Sequence, residues 1–215
     1  MIMDLKGNLF LDGPAGKLEA LLKEPAGEIT RAAVVCHPHP LFGGTMHNKV
    51  VYRVAKAFFD SGFAALRFNF RGVGRSEGAH DAGRGEQDDL RAAIRFIEEK
   101  YTGAEIWLAG FSFGAAVLLR AGCPNPLIRA MIAVGAPVSK YDFASDAICD
   151  KSALFVQGEL DEFGTVADLE KLIAALSGPV EMKVIEGADH FFEGHLDELA
   201  RAVSGFITSV KSESD

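Results

Sequence analysis

The chain has few cysteines, and they form no recognisable pattern. Cys36, Cys123 and Cys149 are odd in number and share no metal-like spacing. We therefore expect reduced thiols, as in a reducing compartment. Cys36 falls in a predicted buried strand, which favours packing over a redox role.

Basic clusters are also absent. The chain carries 22 Lys and Arg residues against 30 Asp and Glu residues, for a formal net charge of −8. Binding to a polyanion would begin from electrostatic repulsion. The composition therefore argues against nucleic acid as a partner.

Long hydrophobic runs are missing as well. No apolar segment approaches the roughly 20 residues that a membrane span needs. The first four residues lack the charged start and apolar stretch of a signal peptide. We expect a cytoplasmic protein that does not bind a membrane. The length of 215 residues predicts one domain over 1–215, and the sequence leaves open whether that domain forms a homo-oligomer.

What the chain does contain is an alternation of apolar strands and amphipathic helices. Two strands around a turn-rich loop at 12–16 predict an antiparallel hairpin at a sheet edge. The later strands are continuously apolar and separated by helices, which indicates a parallel α/β sheet covered on both faces. The predicted strands are 8–11, 17–22, 32–36, 64–68, 105–109, 130–134, 153–157 and 181–185, and the predicted helices are 48–61, 85–100, 113–121, 166–176 and 196–210.

One segment combines a strand, a serine between two glycines and a helix. Gly110-x-Ser112-x-Gly114 follows the strand at 105–109 and leads directly into the helical pattern. A serine at such a turn has its hydroxyl exposed near the N-terminal amides of the helix. The glycines leave room where a larger side chain would collide with neighbouring backbone. This setting predicts a serine nucleophile at Ser112.

An acid and a base for this serine follow in the chain. Asp161 lies on the loop after the strand at 153–157, and His190 lies on the loop after the strand at 181–185. All three loops leave the carboxyl ends of parallel strands, so we expect Ser112, Asp161 and His190 to meet at one sheet edge. Each residue taken alone also fits a simpler role: a helix N-cap, a turn former and a loop histidine.

These segments are similar to the three catalytic signatures of the α/β-hydrolase superfamily. The counterparts here are strand-Gly-x-Ser-x-Gly-helix, Gly158-x-x-Asp161 and Gly187-x-Asp189-His190. Segments 37–49 and 67–76 further resemble a subgroup of small bacterial α/β hydrolases related to dienelactone hydrolases and carboxylesterases. The likeness runs from about Lys17 to Phe206. Dienelactone hydrolases proper use cysteine as the nucleophile, whereas this chain has a serine.

The resemblance implies an α/β-hydrolase fold and serine hydrolase chemistry without a cofactor. Ser112 would attack an acyl carbon, His190 would take its proton, and Asp161 would fix the imidazole tautomer. We expect a small carboxylic ester or thioester as the substrate, cleaved through an acyl-enzyme. A non-catalytic ligand-binding protein of the same fold is the alternative. A peptidase is a weaker one, because the chain lacks the additional domain with which such enzymes select peptides.

Neighbouring residues compete for the acid and base positions. Glu159 and Glu162 flank the acid, but only Asp161 matches the offset of the resembled motif. We interpret His195 as a surface or cap residue near the last predicted helix. Asp189 precedes the base and is interpreted as a turn residue.

An oxyanion requires two backbone N–H donors. Phe113, which follows the nucleophile, supplies one in the resembled fold. The second should come from the loop after the strand at 32–36. Pro38 and Pro40 have no N–H, which leaves His39 or Leu41. The His-Pro-x-Pro spacing resembles the His-Gly-x-Pro loop of related hydrolases and favours His39.

Aromatic residues are concentrated on the predicted site loops. An apolar wall at the mouth of the site would favour an acyl or aryl group over a highly charged substrate. The candidates for this wall are Phe42, Phe111, Phe163 and Phe191. Many superfamily members insert a lid where this chain has only Gly135 to Ser152, which is too short for one. We therefore expect an open site, which argues against a lipase acting on aggregated lipid.

Other glycine-rich and histidine-rich segments fit no cofactor site. Gly43-Gly44 and segment 71–76 lack a Gly-Lys-Ser/Thr ending and a complete G-x-G-x-x-G after a first strand. His37, His39 and His47 lie close in sequence, but the alternate prolines are incompatible with the i, i+4 helical geometry of zinc sites. We expect no bound metal.

Overall fold

The computed structural model describes residues 9–141 and 149–212, and within these ranges eight strands form one sheet. The strands are β1 (Leu9–Gly13), β2 (Gly16–Lys23), β3 (Arg31–Cys36), β4 (Ala64–Phe68), β5 (Glu105–Phe111), β6 (Ile128–Val134), β7 (Ser152–Gly158) and β8 (Val180–Ile185). The α-helices are α1 (Lys49–Asp60), α2 (Arg84–Lys100), α3 (Phe113–Gly122), α4 (Val166–Ala175) and α5 (Leu196–Ser212). A short 3₁₀ helix spans Pro40–Phe42.

The strand order in the sheet is β1-β2-β4-β3-β5-β6-β7-β8. Strand β2 pairs antiparallel with both β1 and β4, and all the later pairs are parallel. The chain moves outward from β3 to β4 and then crosses back to β5. In parallel α/β sheets such a reversal opens a crevice at the carboxyl ends of the strands, which is where ligands bind. The loops after β3 and β5 flank that crevice.

Side chains of the central strands alternate between two apolar layers, as the two-residue period of a strand requires. On β3, Ala32, Val34 and Cys36 pack in the layer that contains α2, α3 and α4. Ala33 and Val35 pack in the layer that contains α1 and α5. The sheet is therefore buried on both faces, which explains why its strands are apolar throughout.

The α/β-hydrolase fold predicted from the sequence is confirmed, including the hairpin at the sheet edge. The hairpin turn is tighter than predicted and consists of Pro14 and Ala15. Strand β5 extends beyond its predicted end at Ala109, because Gly110 and Phe111 still pair with β6. The prediction did not include the 3₁₀ helix after β3.

Among the described residues, no lid domain lies between β6 and β7. The described parts of this connection, 135–141 and 149–151, consist of turns, bends and irregular backbone. The rest of the loop that we predicted there falls on 142–148, outside the described residues. Within the described ranges, no helix combines the length and apolar character needed to cross a membrane.

The cysteines differ from expectation. Cys123 and Cys149 form a disulfide with their Cα atoms 4.9 Å apart, so the expectation of reduced thiols is wrong for this pair. They are separated by 26 positions in sequence, and the disulfide joins the residue after α3 to the segment before β7. The argument from reduced thiols to a reducing compartment loses its support. Cys36 is free and buried, and burial raises the pKa of its thiol, as expected for a packing residue.

Candidate active site

Ser112 occupies a strained turn between β5 and α3. Its backbone has φ 56° and ψ −118°, a conformation that few residues with a side chain adopt. Its N–H donates to the carbonyl oxygen of Val134 at 2.9 Å, which ties the turn to the neighbouring strand. A Cβ at Gly110 would lie 2.3 Å from the Gly114 carbonyl oxygen, and a Cβ at Gly114 would lie 2.6 Å from that of Cys36. Any larger residue at either position would therefore collide with the neighbouring backbone.

The three loops bring Ser112, His190 and Asp161 within hydrogen-bond distance of one another. Ser112 Oγ lies 2.9 Å from His190 Nε2, and His190 Nδ1 lies 2.7 Å from Asp161 Oδ2. Donation by Nδ1–H to the carboxylate leaves Nε2 as an acceptor for the serine hydroxyl. The side chains of His190 and Asp161 are buried, which limits competition from water.

Further donors hold the Asp161 carboxylate in this orientation. Its Oδ1 accepts from the backbone N–H groups of Phe163 at 2.8 Å and Gly164 at 3.3 Å. Its Oδ2 accepts from the Gln157 side-chain amide at 2.8 Å as well as from His190. Hydrogen bonds from several donors fix the direction of a buried carboxylate.

Gln157 is a site residue that the sequence reasoning did not identify. It is buried near the end of β7, and its amide nitrogen donates both to Asp161 and to the Gly164 carbonyl oxygen at 2.7 Å. Its Oε1 accepts from the Ala136 N–H at 3.0 Å. A lone glutamine in an otherwise apolar strand was the available signal, because a buried amide must find partners for its donors and its acceptor.

Aromatic rings surround the His190 imidazole. Ring centroids lie 4.5 Å away for Phe163, 5.1 Å for Phe111 and 5.3 Å for Phe191. Phe191 is half exposed and Phe42 is 86% exposed, so both lie at the surface of the site. Phe111 differs from expectation: it is buried beneath the imidazole and does not line the mouth. Its side chain follows Trp107 and Ala109 of β5 into the α1 and α5 layer, because alternate strand residues share a face.

The competing acids and the second histidine have other partners. Glu159 Oε2 accepts from the Gly187 N–H at 2.8 Å and joins two site loops without contacting the imidazole. Asp189 Oδ1 accepts from the N–H groups of Phe191 and Glu193, as a turn residue does. The His195 Nδ1 atom lies 3.3 Å from a carboxylate oxygen of Glu198 at the surface.

Two backbone N–H groups near the serine have no acceptor among the described residues, those of Phe113 and His39. The Leu41 N–H instead donates to His39 Nδ1 at 3.2 Å, which caps the 3₁₀ helix. The His39 and Phe113 rings are in contact, with centroids 4.9 Å apart. The loop after β3 therefore lies against the start of α3.

His37 fixes the loop after β3 to the end of β4. Its Nδ1 lies 2.6 Å from the Pro38 carbonyl oxygen, and its Nε2 accepts from the Phe70 N–H at 3.0 Å. Burial lowers the pKa of His37 to about 4, so its ring is neutral and both nitrogens are occupied. Among the described residues, no three His, Cys, Asp or Glu side chains are grouped so that they would hold a metal ion.

Comparisons with known proteins agree with this architecture. Residues 34–149 match the family described as alpha/beta hydrolase fold. A protein of Rickettsia prowazekii (strain Madrid E) is 35% identical over 213 residues, covering 95% of this chain and 90% of that protein.

Two solved structures are similar over nearly the whole chain. An alpha-beta serine hydrolase homologue from Coxiella burnetii is 40% identical, with a TM-score of 0.88 and coverage of 95% of this chain and 98% of that one. An a/b serine hydrolase without lid from Xanthomonas campestris is 35% identical, with a TM-score of 0.86 and coverage of 94% and 93%. The chain belongs to the alpha/beta hydrolase fold family and is similar to its lidless serine hydrolase homologues.

Proposed function

We propose that this protein is a serine hydrolase that cleaves small carboxylic esters or thioesters through an acyl-enzyme. The observation that carries the proposal is the hydrogen-bonded series from Ser112 Oγ through His190 to Asp161, at 2.9 Å and 2.7 Å. An alcohol is a weak nucleophile, and a base at this distance removes its proton as the new bond forms.

Acylation in this proposal begins when Ser112 Oγ attacks the carbonyl carbon of the substrate and its proton passes to His190 Nε2. The tetrahedral intermediate collapses as its bond to the alcohol or thiol breaks, and His190 returns the proton to that leaving group. Asp161 stabilises the imidazolium without taking the proton. Water then attacks the acyl carbon of the acyl-enzyme while His190 takes its proton. The bond to Ser112 Oγ breaks, Oγ receives that proton, and the acid is released.

The oxyanion that forms in both steps would accept from the Phe113 and His39 N–H groups. Both are without an acceptor among the described residues, whereas the Leu41 N–H already donates to the His39 ring. This distribution supports His39 over Leu41 as the second donor. Oxyanion donors of this kind contribute about 10²–10³ each to turnover.

Exposed apolar side chains around the serine support an acyl or aryl group as the substrate's main contact. Leu41 and Phe42 follow the oxyanion loop, and Phe191 follows the base. Together they offer apolar area to a substrate that reaches the open site, and burying that area on binding is favourable. His190 alone can protonate the departing alcohol or thiol, so the proposal requires no further acid for either class of substrate.

The proposal is tested by labelling and by turnover. A fluorophosphonate should form an adduct on Ser112, and p-nitrophenyl acetate and an acetyl thioester should be hydrolysed. Ser112→Ala should lower kcat/KM by at least about 10⁴, because removing the nucleophile of a triad costs up to about 10⁶. Ser209→Ala changes a residue of α5 away from the site. Its kcat/KM should stay within about twofold of wild type, since the activation free energy should change by less than about 1 kcal/mol. Folded protein that neither labels nor turns over any ester would instead be a ligand-binding member of this fold.

A further inference from the structure

A second carboxylate–imidazole pair lies on the oxyanion side of the nucleophile. His80 Nδ1 is 2.7 Å from Glu86 Oε1, with the Glu86 side chain completely buried and the His80 side chain 16% exposed. His80 Nδ1 makes no hydrogen bond with a described residue, so Glu86 lies against the imidazole ring without accepting a hydrogen bond from it. Glu86 belongs to the first turn of α2, and His80 belongs to the loop between β4 and α2.

Glu86 is held firmly enough to fix its partner. Its two oxygens accept from the backbone N–H groups of Asp81 at 2.9 Å and Gly83 at 2.8 Å. A buried carboxylate with charge-assisted hydrogen bonds of this kind has little freedom to reorient. Glu86 therefore ties the loop that carries His80 to the first turn of α2.

The His80 ring contacts the residue that we propose as the second oxyanion donor. Ring centroids of His80 and His39 are 4.9 Å apart, and those of His80 and Phe113 are 5.7 Å apart. The His39 ring also contacts Phe42 at 4.8 Å and Phe113 at 4.9 Å. Because His39 Nδ1 accepts from the Leu41 N–H, the orientation of this ring and the path of the oxyanion loop are coupled.

Both members of this pair lie close enough to His39 to act on its imidazole. Burial lowers the pKa of His39, the neighbouring His80 lowers it further, and the Glu86 carboxylate raises it. The pair therefore adjoins the residue whose backbone N–H would face the oxyanion.

We propose that His80, held by Glu86, is a positioning residue for the oxyanion hole. It packs against the His39 imidazole and keeps the loop after β3 in the form that leaves the His39 N–H free. This inference rests on the proposed ester hydrolysis, with His39 as the second oxyanion donor.

Kinetics and a transition-state analogue test the inference together. His80→Phe keeps a ring beside His39 and Phe113 but replaces the polar ring nitrogen that lies against Glu86. We expect kcat for p-nitrophenyl butyrate to fall about ten- to hundredfold. Removal of an oxyanion donor itself lowers kcat by about 10²–10³, and a displaced donor should cost no more than that. KM should change less than about threefold, since the ground-state ester has no oxyanion. The Ki of a trifluoromethyl ketone, which adds to Ser112 and places an oxyanion in the hole, should rise by the same factor as kcat falls.

Two variants complete the experiment. His80→Ala removes the ring as well as the contact with Glu86, and it should lower kcat and raise Ki at least as much as His80→Phe does. His195→Phe removes another histidine that lies near a carboxylate, and it should leave kcat and Ki within about twofold of wild type. Should His80→Phe fail to fold by circular dichroism, His80→Ala is measured in its place.

Three results would overturn the inference. In the first, the His80→Phe or His80→Ala enzyme retains wild-type kcat. In the second, kcat falls while the Ki of the ketone stays unchanged, which would place the defect outside the oxyanion hole. In the third, His80→Ala, which lacks the ring, retains more activity than His80→Phe. Wild-type protein that hydrolyses no ester at all would instead count against the proposed function.

Discussion

The two edges of the sheet present different surfaces. At the carboxyl edge, large apolar side chains stand exposed beside the residues of the candidate site: Leu41, Phe42, Leu160 and Phe191. At the amino edge lies an open groove of about 550 Å³ between Gly103 and Pro179. Its lining includes charged residues such as Asp150 and Lys151, whose side chains lie 3.6 Å apart.

This comparison shows that the size of a groove does not identify the candidate site in this molecule. The amino-edge groove is wide, but its lining includes none of the hydrogen-bonded residues Ser112, His190 and Asp161. The carboxyl edge instead collects loops from three parallel strands, because all of those strands point the same way. Polar groups aligned on these loops, with apolar side chains around them, are what a small-molecule site requires.

The largest expected effect compares a carboxylate from each edge. Asp161→Asn should keep the fold but present an amide to His190 Nδ1–H and favour the wrong tautomer. We expect kcat to fall by at least about 10², against about 10⁴ for this change in a serine protease. Asp150→Asn, at the amino edge, should stay within about twofold, a change below 1 kcal/mol in the barrier. Steady-state kinetics with p-nitrophenyl acetate measures both.

Two flanking variants test the assignment of the acid. Glu159→Gln and Glu162→Gln should each remain within about tenfold, or 1.4 kcal/mol. All variants are compared at equal thermal stability, so that local unfolding is not mistaken for lost chemistry. A crippled Glu162→Gln enzyme beside a normal Asp161→Asn enzyme would mean that the acid is misassigned.

The next effect concerns the stability of the carboxyl-edge loops at low pH. His37 has a folded-state pKa of about 4, below the 6.5 of an unperturbed histidine. Its neutral form therefore stabilises the fold above about pH 6.5, and this contribution is lost as the pH falls from 6.5 to 4. The loss amounts to about 3 kcal/mol, at 1.36 kcal/mol for each unit of pKa difference.

His37→Gln isolates this contribution, because all other titrating groups are shared with wild type. Urea unfolding at pH 7 and at pH 4 should show wild type losing more free energy of unfolding than the variant, by about 3 kcal/mol. The variant itself should be less stable than wild type at pH 7, since one buried hydrogen-bonding partner of Phe70 and Pro38 is changed. An equal gap between the two proteins at both pH values would contradict the assignment.

The smallest effect compares exposed apolar side chains from the two ends of the molecule. Phe42→Ser should lower the preference for p-nitrophenyl octanoate over acetate by about tenfold, because each buried methylene contributes about 0.8 kcal/mol. Turnover of the acetate ester should change little. Leu127→Ser removes an apolar side chain that is 44% exposed at the amino edge, and it should leave the preference unchanged. Equal losses in the two variants would show that the exposed side chains at the carboxyl edge do not bind the acyl group.

Much of the fold was predictable because its signals are local. Strands and helices follow from apolar periodicity, and the bounds of β4 agree with the prediction at both ends. The serine turn also carries its own signature, since both glycines are required by contacts at 2.3 Å and 2.6 Å. The meeting of the Asp161 and His190 loops with Ser112 follows from the shared direction of parallel strands.

Contacts between distant segments were not predictable in the same way. The Cys123–Cys149 disulfide joins the residue after α3 to the segment before β7, and the spacing of the cysteines in the chain does not indicate this contact. Phe111 was assigned to the mouth because it adjoins Ser112, but β5 continues through it and turns its side chain into the core. Gln157 and the His80–Glu86 pair needed the positions of Asp161 and His39 before their roles became apparent.

The sequence by itself determined the α/β order of elements, the serine turn and the edge of the sheet at which its partners would lie. These depend on periodicity, on the steric needs of one turn and on strand direction, all of which act over a few residues. Only the tertiary structure decided which side chains support the site from behind, which cysteines pair and which aromatic rings face solvent. These depend on close packing between segments far apart in the chain, where a shift of one strand residue sends a side chain to the opposite face.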